Sequence, residues 1–364
     1  MSLTAIDKNF ATTNVNEKDV VWHEILEPEF TIYGTFFDPE QDCFVRLPNQ
    51  IAKQVNDSIE RLNHYTAGGR IRFSTDSPYI AIKAIMRNVG LMSHQPIVGQ
   101  YGFSLYLNNK FYNTFYPTFA DITRDNTKDV EYDSIKYVGN YSTIAGDMYD
   151  YNLYMPCYGG VKKLYIGLKQ GCTLKKHPPY KFEKPVVFYG SSITQGGVTS
   201  RSGNEYQGYI SRWLDTNYLN LGFSGNAKGE QSMADYFASI DASIFVIDYD
   251  YNAPNSEHLK ATHFNFYKTV RDKNPDTPIV MISKPNHGVF RIDDEKRRQI
   301  IEDTYKTALA SGDKNVYFID GRTLLGKEDI DACTVDGIHP NDLGFYRMAK
   351  AIAPTIDKIL NKKD

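Results

Sequence analysis

Little in this chain points to metal, redox or membrane chemistry. Its 364 residues include four cysteines, Cys43, Cys157, Cys172 and Cys333. None belongs to a CxxC pair and nothing fixes a disulfide or a zinc site, so they read mostly as buried free thiols. His258 and His263 straddle a predicted helix without the HExxH pattern of a zinc site. There is no GxxxxGKS/T loop to cradle phosphates and no GxSxG elbow of the α/β-hydrolase kind. No apolar run is long enough for a transmembrane helix. No charged-then-apolar segment opens the chain; Met1-Ser2-Leu3 is compatible with a start left after signal-peptide removal, so the compartment stays open between cytoplasmic and periplasmic or secreted. A net charge of −3 gives no electrostatic case for nucleic acid or an acidic membrane as partner. Tryptophan is scarce, with 2, whereas tyrosine reaches 27. Tyrosine suits polar ligands such as sugars but also favours strands, so composition alone does not choose.

What is present falls into two textures. The length allows two domains of ordinary size, and 41% hydrophobic with 23% charged residues is usual for a soluble globular protein. The first half reads as β. Short period-two runs occur at Phe30–Phe37, Arg70–Thr75, Tyr79–Ile85, Phe103–Leu107, Lys110–Tyr112 and Val161–Leu168, with turn signals such as Asn108-Asn109 between them. Such runs predict an antiparallel sandwich or jelly roll. Lys175–Tyr180, with its paired prolines, reads as a linker. We therefore expect an N-terminal β-sandwich over residues 1–177 and a second domain over 178–364.

In the second half strands and helices alternate. Candidate strands are Val186–Tyr189, Tyr218–Leu221, Ile244–Tyr249, Pro278–Ser283 and Val316–Asp320. Candidate helices are Glu205–Asp215, one capped near Ser256, Asp293–Ala310 and Asn341–Ile359. Repeated βα units predict a parallel sheet covered by helices on both faces. One stretch organises the chain, from Val186 to Gly197, in which an apolar strand runs into Gly190-Ser191-Ser192-Ile193-Thr194. Open parallel sheets place their chemistry at that strand end. Far downstream, Asp336-Gly337-Ile338-His339-Pro340 brings an acid and an imidazole into one short loop before a helix. Serine, histidine and acid are the parts of a nucleophilic triad.

Four stretches together carry a resemblance to the SGNH (GDSL-like) hydrolases. Gly190–Thr194 resembles their nucleophile motif and Asp336–Pro340 their final acid–x–x–His motif. Asn220-Leu221-Gly222-Phe223-Ser224-Gly225-Asn226 is similar to the glycine motif, and Asp250-Tyr251-Asn252-Ala253 occupies the place of the asparagine motif. The resemblance implies a flavodoxin-like α/β/α domain, here preceded by a β-sandwich as in some bacterial carbohydrate esterases. Ser192 is the expected nucleophile, His339 the general base and then acid, and Asp336 the residue that orients the imidazole. The implied oxyanion donors are the N–H groups of Ser192 and Gly225 and the amide of Asn252. Ser191 replaces the family's aspartate, and Asp250 and Ala253 depart from its asparagine motif, leaving Asn255 and Asn226 as fallbacks for Asn252.

Tyr249 and Tyr251 follow the third strand, one expected in the core and the other a candidate for the pocket; Asn286 and His287 are further candidates for substrate contact. His23, His64, His94 and His177 read as surface or packed histidines of the β half. No cofactor and no metal are expected. The expected activity is hydrolysis of short acyl esters, acetyl above all, on a small molecule or oligosaccharide. The alternatives are acyl transfer by the same triad, and a non-catalytic carbohydrate-binding protein. Oligomeric state stays open.

Overall fold

The computed structural model describes residues 14–122, 125, 127–139, 144–285 and 293–362. The period-two runs of the first half pair into two antiparallel sheets. One has the spatial order Val20–Glu24, Gly160–Lys169, Tyr79–Arg87, Val130–Tyr137. The other runs Leu174–Lys175, Arg70–Thr75, Tyr149–Tyr154, Phe103–Leu107, Lys110–Phe115, with Thr31–Tyr33 also paired to Arg70–Thr75. Alternation turns Ile71, Phe73, Leu105 and Leu153 of one sheet toward Ile80, Ile82, Leu164 and Ile166 of the other, forming a sandwich core. Asn108 and Asn109, both at positive φ (47° and 62°), make the two-residue hairpin turn that asparagine tolerates.

Some local expectations shift. Phe30–Phe37 is not one strand but two, Thr31–Tyr33 and Phe36–Asp38. The break falls at Gly34, whose φ is 78° and whose missing side chain leaves room for the Gly68 carbonyl. Two short helices, Asn49–Val55 and Asp57–Asn63, interrupt the β region. Asn56 caps the second by accepting from the Ile59 N–H at 2.9 Å.

The second half forms a five-stranded parallel sheet. Its spatial order is Thr216–Gly222, Phe182–Gly190, Ile244–Asp248, Ile279–Ile282, Val316–Ile319, the flavodoxin-like arrangement. Alternate strand residues serve opposite faces. Val187, Phe245 and Ile247 meet Phe237, Phe266 and Ile301 of the helices Gln231–Ser239, Ser256–Lys273 and Asp294–Ala310. Phe188, Val246 and Val280 meet Ile210, Met348 and Ile352 of Tyr206–Leu214 and Asp342–Leu360. Helix Gln231–Ser239 was not among the expected elements. The cap expected near Ser256 is Asn255, which accepts from the His258 N–H at 2.8 Å.

Residues 176–180 carry no regular structure, yet Tyr180 is buried, with the Arg72 guanidinium 3.8 Å over its ring. Two buried arginines of the first half reach strand Thr216–Gly222. Arg46 donates to the carbonyls of Asn220 (3.2 Å), Gly222 and Leu62, and its guanidinium lies 4.3 Å over Phe223. Arg70 donates to Asn217 Oδ1 at 2.7 Å and to the Tyr218 carbonyl at 3.0 Å. All four cysteines are free thiols; Cys43, Cys157 and Cys333 are buried and Cys172 half-buried. Among the described residues no helix is long and apolar enough to cross a membrane.

Candidate active site

Strand Phe182–Gly190 ends where any side chain on Gly190 would collide with Thr194 Oγ1 and the Asp248 carbonyl. Only glycine allows the chain to turn there so tightly. Ser191 follows in extended conformation and caps the short helix Ser192–Gln195, its Oγ accepting from the Ile193 N–H at 3.1 Å. Its side chain is spent inward, and the residue is only 2% exposed. Ser192 begins the helix, and its Oγ lies 2.9 Å from His339 Nε2. As a first-turn residue it also has an N–H without an intrahelical acceptor.

The histidine comes from a loop closed by a bridge between Thr334 and Pro340. Asn341 holds its far end, capping helix Asp342–Leu360 through the Gly344 N–H while its amide donates to the Ala332 carbonyl at 2.7 Å. Inside the loop, Asp336 Oδ1 accepts from the N–H groups of Ile338 (3.0 Å) and His339 (2.7 Å). Its Oδ2 lies 2.7 Å from His339 Nδ1. Partial burial would raise the Asp336 pKa, but the backbone donors and the imidazole outweigh it and hold the carboxyl down at about 2. With the carboxylate ionised, Nδ1 carries the proton and Nε2 presents a lone pair to Ser192.

The glycine and asparagine loops arrive beside this pair. Gly225 stands at φ 70° with open space where a side chain would project. Gln195 ties its loop to helix Ser192–Gln195, accepting from the Ser224 N–H at 2.9 Å and donating to the Cys157 carbonyl of the first half at 3.2 Å. Asn252 lies in the short turn Asp250–Asn252 and donates through Nδ2 to the Phe223 carbonyl at 2.9 Å, so it reaches the same loop with one amide hydrogen still unassigned. The departure at Asp250 has a local cause. That buried carboxylate accepts from Arg297 Nε at 2.8 Å and from the Lys284 N–H at 2.9 Å, which pins the turn carrying Asn252. Of the two fallbacks, Asn255 is occupied as a helix cap, and Asn226 donates to the nearby Ser224 carbonyl at 2.8 Å.

Tyr249 is fully buried in the core, as one of the two tyrosines was expected to be. Tyr251 is half-buried against the opposite core, with Lys284 Nζ 5.3 Å over its ring. Asn286 and His287 lie outside the described residues. Beneath the nucleophile helix, Asp248 accepts from Thr194 Oγ1 (2.9 Å) and Tyr206 Oη (2.8 Å). Burial pushes its carboxyl up to about 7 despite these donors.

His94, read from the sequence as a surface or packed histidine of the β half, is exposed, and its ring lies 5.9 Å from that of His339. Among the described residues, His94, Asp336 and His339 form a group whose ligand-capable atoms lie within 4.8 Å of one another. A cation there would have to take an imidazole nitrogen already bonded to Ser192 or Asp336. We therefore read the group as an acid–imidazole pair with a second imidazole beside it. Nothing local in the sequence marks His94, because its neighbour is 245 positions away in a different region.

Comparison with known proteins agrees with this architecture. A model described as the GDSL-like lipase/acylhydrolase family matches residues 183–357, and one for the N-terminus of SGNH-hydrolase-type esterases matches residues 20–174. No curated protein matches the chain. Among solved structures, a protein from Bacteroides ovatus ATCC 8483 described as a GDSL-like lipase is 30% identical, with 94% of this chain and 99% of that one covered and a TM-score of 0.81. A salicylyl-acyltransferase from a tetracycline biosynthetic pathway shares the fold at 17% identity, with 95% and 99% covered and a TM-score of 0.76. So does a family two carbohydrate esterase from Clostridium thermocellum, solved with cellohexaose, at 15% identity, 81% and 93% coverage and a TM-score of 0.58. A parallel sheet with its motifs at the strand ends, a matched β region ahead of it and a full-length relative thus converge: the chain belongs to the GDSL-like lipase/acylhydrolase family and is an ester-hydrolysing enzyme.

Proposed function

We propose that the protein is a serine esterase that removes short acyl groups, acetyl above all, from carbohydrate. We also propose that the chain divides into a β-sandwich domain over 1–177 and a hydrolase domain over 178–364. The observation that carries the catalytic reading is the unbroken hydrogen-bonded chain from Ser192 Oγ through the His339 ring to Asp336, at 2.9 and 2.7 Å. In this reading Ser192 Oγ attacks the acyl carbon while His339 Nε2 takes its proton. The oxyanion collects donors from the N–H groups of Ser192 and Gly225 and from the free amide hydrogen of Asn252. Collapse breaks the bond to the alcohol oxygen, which receives the proton from His339. Water then attacks the acyl-enzyme with His339 again as base, releasing the acid and restoring Ser192. Asp336 holds the imidazole tautomer throughout, and Tyr251 is a candidate for substrate contact.

The carbohydrate assignment is supported by the fold shared with the carbohydrate esterase and by the 27 tyrosines of the chain. A panel of 4-nitrophenyl esters of increasing acyl length, followed by acetylated oligosaccharides, tests it. Acetate should turn over faster than longer acyl groups, with free acetic acid as product. Preferential loss of the acyl group to an added alcohol instead of water would replace hydrolysis by transfer. No turnover of any ester would leave a binding protein.

A further inference from the structure

A second cavity, of about 430 Å³, opens in the first half of the chain. Its lining includes Arg61, His64, Tyr65, Arg87, Asp129 and Lys162. Lys162 is neutralised by Asp129 at 2.6 Å. Arg61 has no ion-pair partner among the described residues, and Arg87 makes only long contacts, to the Gln41 carbonyl at 3.5 Å and to Cys43 Sγ at 3.8 Å. Arg87 Nε and His64 Nε2 are buried without a hydrogen-bond partner among the described residues. A cavity with two unneutralised guanidiniums is short of an anionic ligand.

A short stretch of chain links the cavity wall to the Ser192 site. Tyr65 lines it and lies 6.0 Å, ring to ring, from Tyr158, whose hydroxyl is 3.5 Å from the Ser192 carbonyl. Val89 also lines it, Met92 packs with Tyr65 and Tyr158, and His94 sits beside His339. Residues 89–94 therefore run from cavity to imidazole, a reach of at most about 17–20 Å for a stretch this short. The stretch is strapped down. The Val89 N–H donates to Tyr101 Oη at 3.0 Å, Gln100 Nε2 donates to the Gly90 carbonyl at 2.6 Å, and Gln100 Oε1 accepts from the Met92 N–H at 3.1 Å.

We propose that this cavity is a subsite for a monoanionic group, the carboxylate of an acidic sugar, on the same substrate chain whose ester reaches Ser192. The inference rests on the carbohydrate esterase reading given above. A phosphate dianion fits less well, because Asp129 faces the same space. His64 is kept neutral by burial, helped by the Arg87 charge, so it adds no third positive charge to the cavity.

The test compares an acetylated xylo-oligosaccharide carrying a glucuronate substituent with the same oligosaccharide lacking it, and with 4-nitrophenyl acetate. Wild-type enzyme should show the lower KM on the acidic substrate, rising with added salt. Arg87→Gln and the surface variant Arg61→Gln should each raise that KM about tenfold with kcat held, leaving the other two substrates unchanged. Equal KM for the acidic and neutral oligosaccharides, or an equal effect of both variants on all three substrates, overturns the subsite.

Titration of Ser192→Ala protein with glucuronate, inorganic sulfate and methyl glucoside separates this outcome from failure of the esterase reading. Glucuronate binding that is lost in Arg61→Gln upholds the subsite even if no ester is hydrolysed. Preference for sulfate would reassign the anion from carboxylate to sulfate ester, and no binding of either anion refutes the proposal.

Discussion

The two halves of the molecule organise their functional residues in opposite ways. In the parallel sheet, Gly190, Gly222 and Asp248 stand at the ends of three adjacent strands, so residues distant in sequence meet because the strand order brings them to one edge. In the antiparallel half no strand end has that role. His94 and Tyr158 approach the same place from loops, while Arg46 does so as a buried side chain following a short strand. A parallel architecture concentrates chemistry by topology. A sandwich contributes only what its loops and long side chains can carry across.

The harshest test of that contrast removes the proposed nucleophile. Ser192→Ala should lower kcat/KM by about 10⁴-fold or more with the melting transition unmoved. Ser191→Ala should keep most activity and lose about 1 kcal/mol of stability as a helix cap. The opposite pattern would mean that the chemistry begins one residue earlier. Next in size is Asn252→Ala, expected to cut kcat by about 100- to 1,000-fold with KM little changed, because an oxyanion donor matters most as charge develops. Normal kcat with a reduced melting temperature would make Asn252 a structural residue, held for its bond to the Phe223 carbonyl.

The contribution of the β half should be smaller but measurable. Arg46 pairs with no carboxylate among the described residues, and burial draws its ionisation down to about 9. Arg46→Met should cost about 1–3 kcal/mol of stability, since buried carbonyls lose their donors while an unpaired charge is also removed. Because it grips Gly222, three residues before Gly225, kcat should fall by about tenfold. An unchanged kcat in a folded variant would confine the first half to a scaffold.

The mildest effect concerns pH. The Asp336 carboxyl is held at about 2, below its unfolded value of about 3.9. Its contribution to stability is present above pH of about 4 and lost as pH falls through about 2. Melting curves of wild type and Asp336→Asn should therefore differ near neutrality and converge in strong acid. Above pH of about 4 the acid limb of kcat/KM should carry no step from the Asp336 carboxyl. A second ionisation between pH of about 4 and 5 would show that the carboxylate is not held by the loop.

The same contrast explains what could be read in advance. Val186–Tyr189 of strand Phe182–Gly190 are apolar on both sides and run into Gly190 and two serines, so strand type, depth and chemical end were all visible in a dozen residues. Asp336 and His339 were visible for a similar reason, being three apart in one capped loop. Helix Ser256–Lys273 began where expected, but two polar residues compete for its cap and Asn255 prevails over Ser256. The split of Phe30–Phe37 depended on the Gly68 carbonyl lying against Gly34, a contact no local pattern encodes. Strand Val130–Tyr137 alternates, with Val130, Tyr132 and Ser134 inward, but it was not among the expected strands, since Glu131, Asp133 and Lys136 dilute its apolar pattern. His94 and Arg46 were illegible for the most general reason: the partners that bring them to the site, His339 for one and the Asn220 and Gly222 carbonyls for the other, belong to the other half.

The grip of Arg46 and Arg70 on strand Thr216–Gly222 has one more consequence. That strand is the outermost of the parallel sheet, and a bare margin of carbonyls and N–H groups is a template for another chain to add to. The carbonyls of Tyr218, Asn220 and Gly222, which would form that margin, all accept from the two guanidiniums. Cationic side chains thus end the sheet as an extra strand would, without offering a new backbone to extend. Severed from its first half, the α/β region would present this margin to solvent and should self-associate, however intact its serine and histidine.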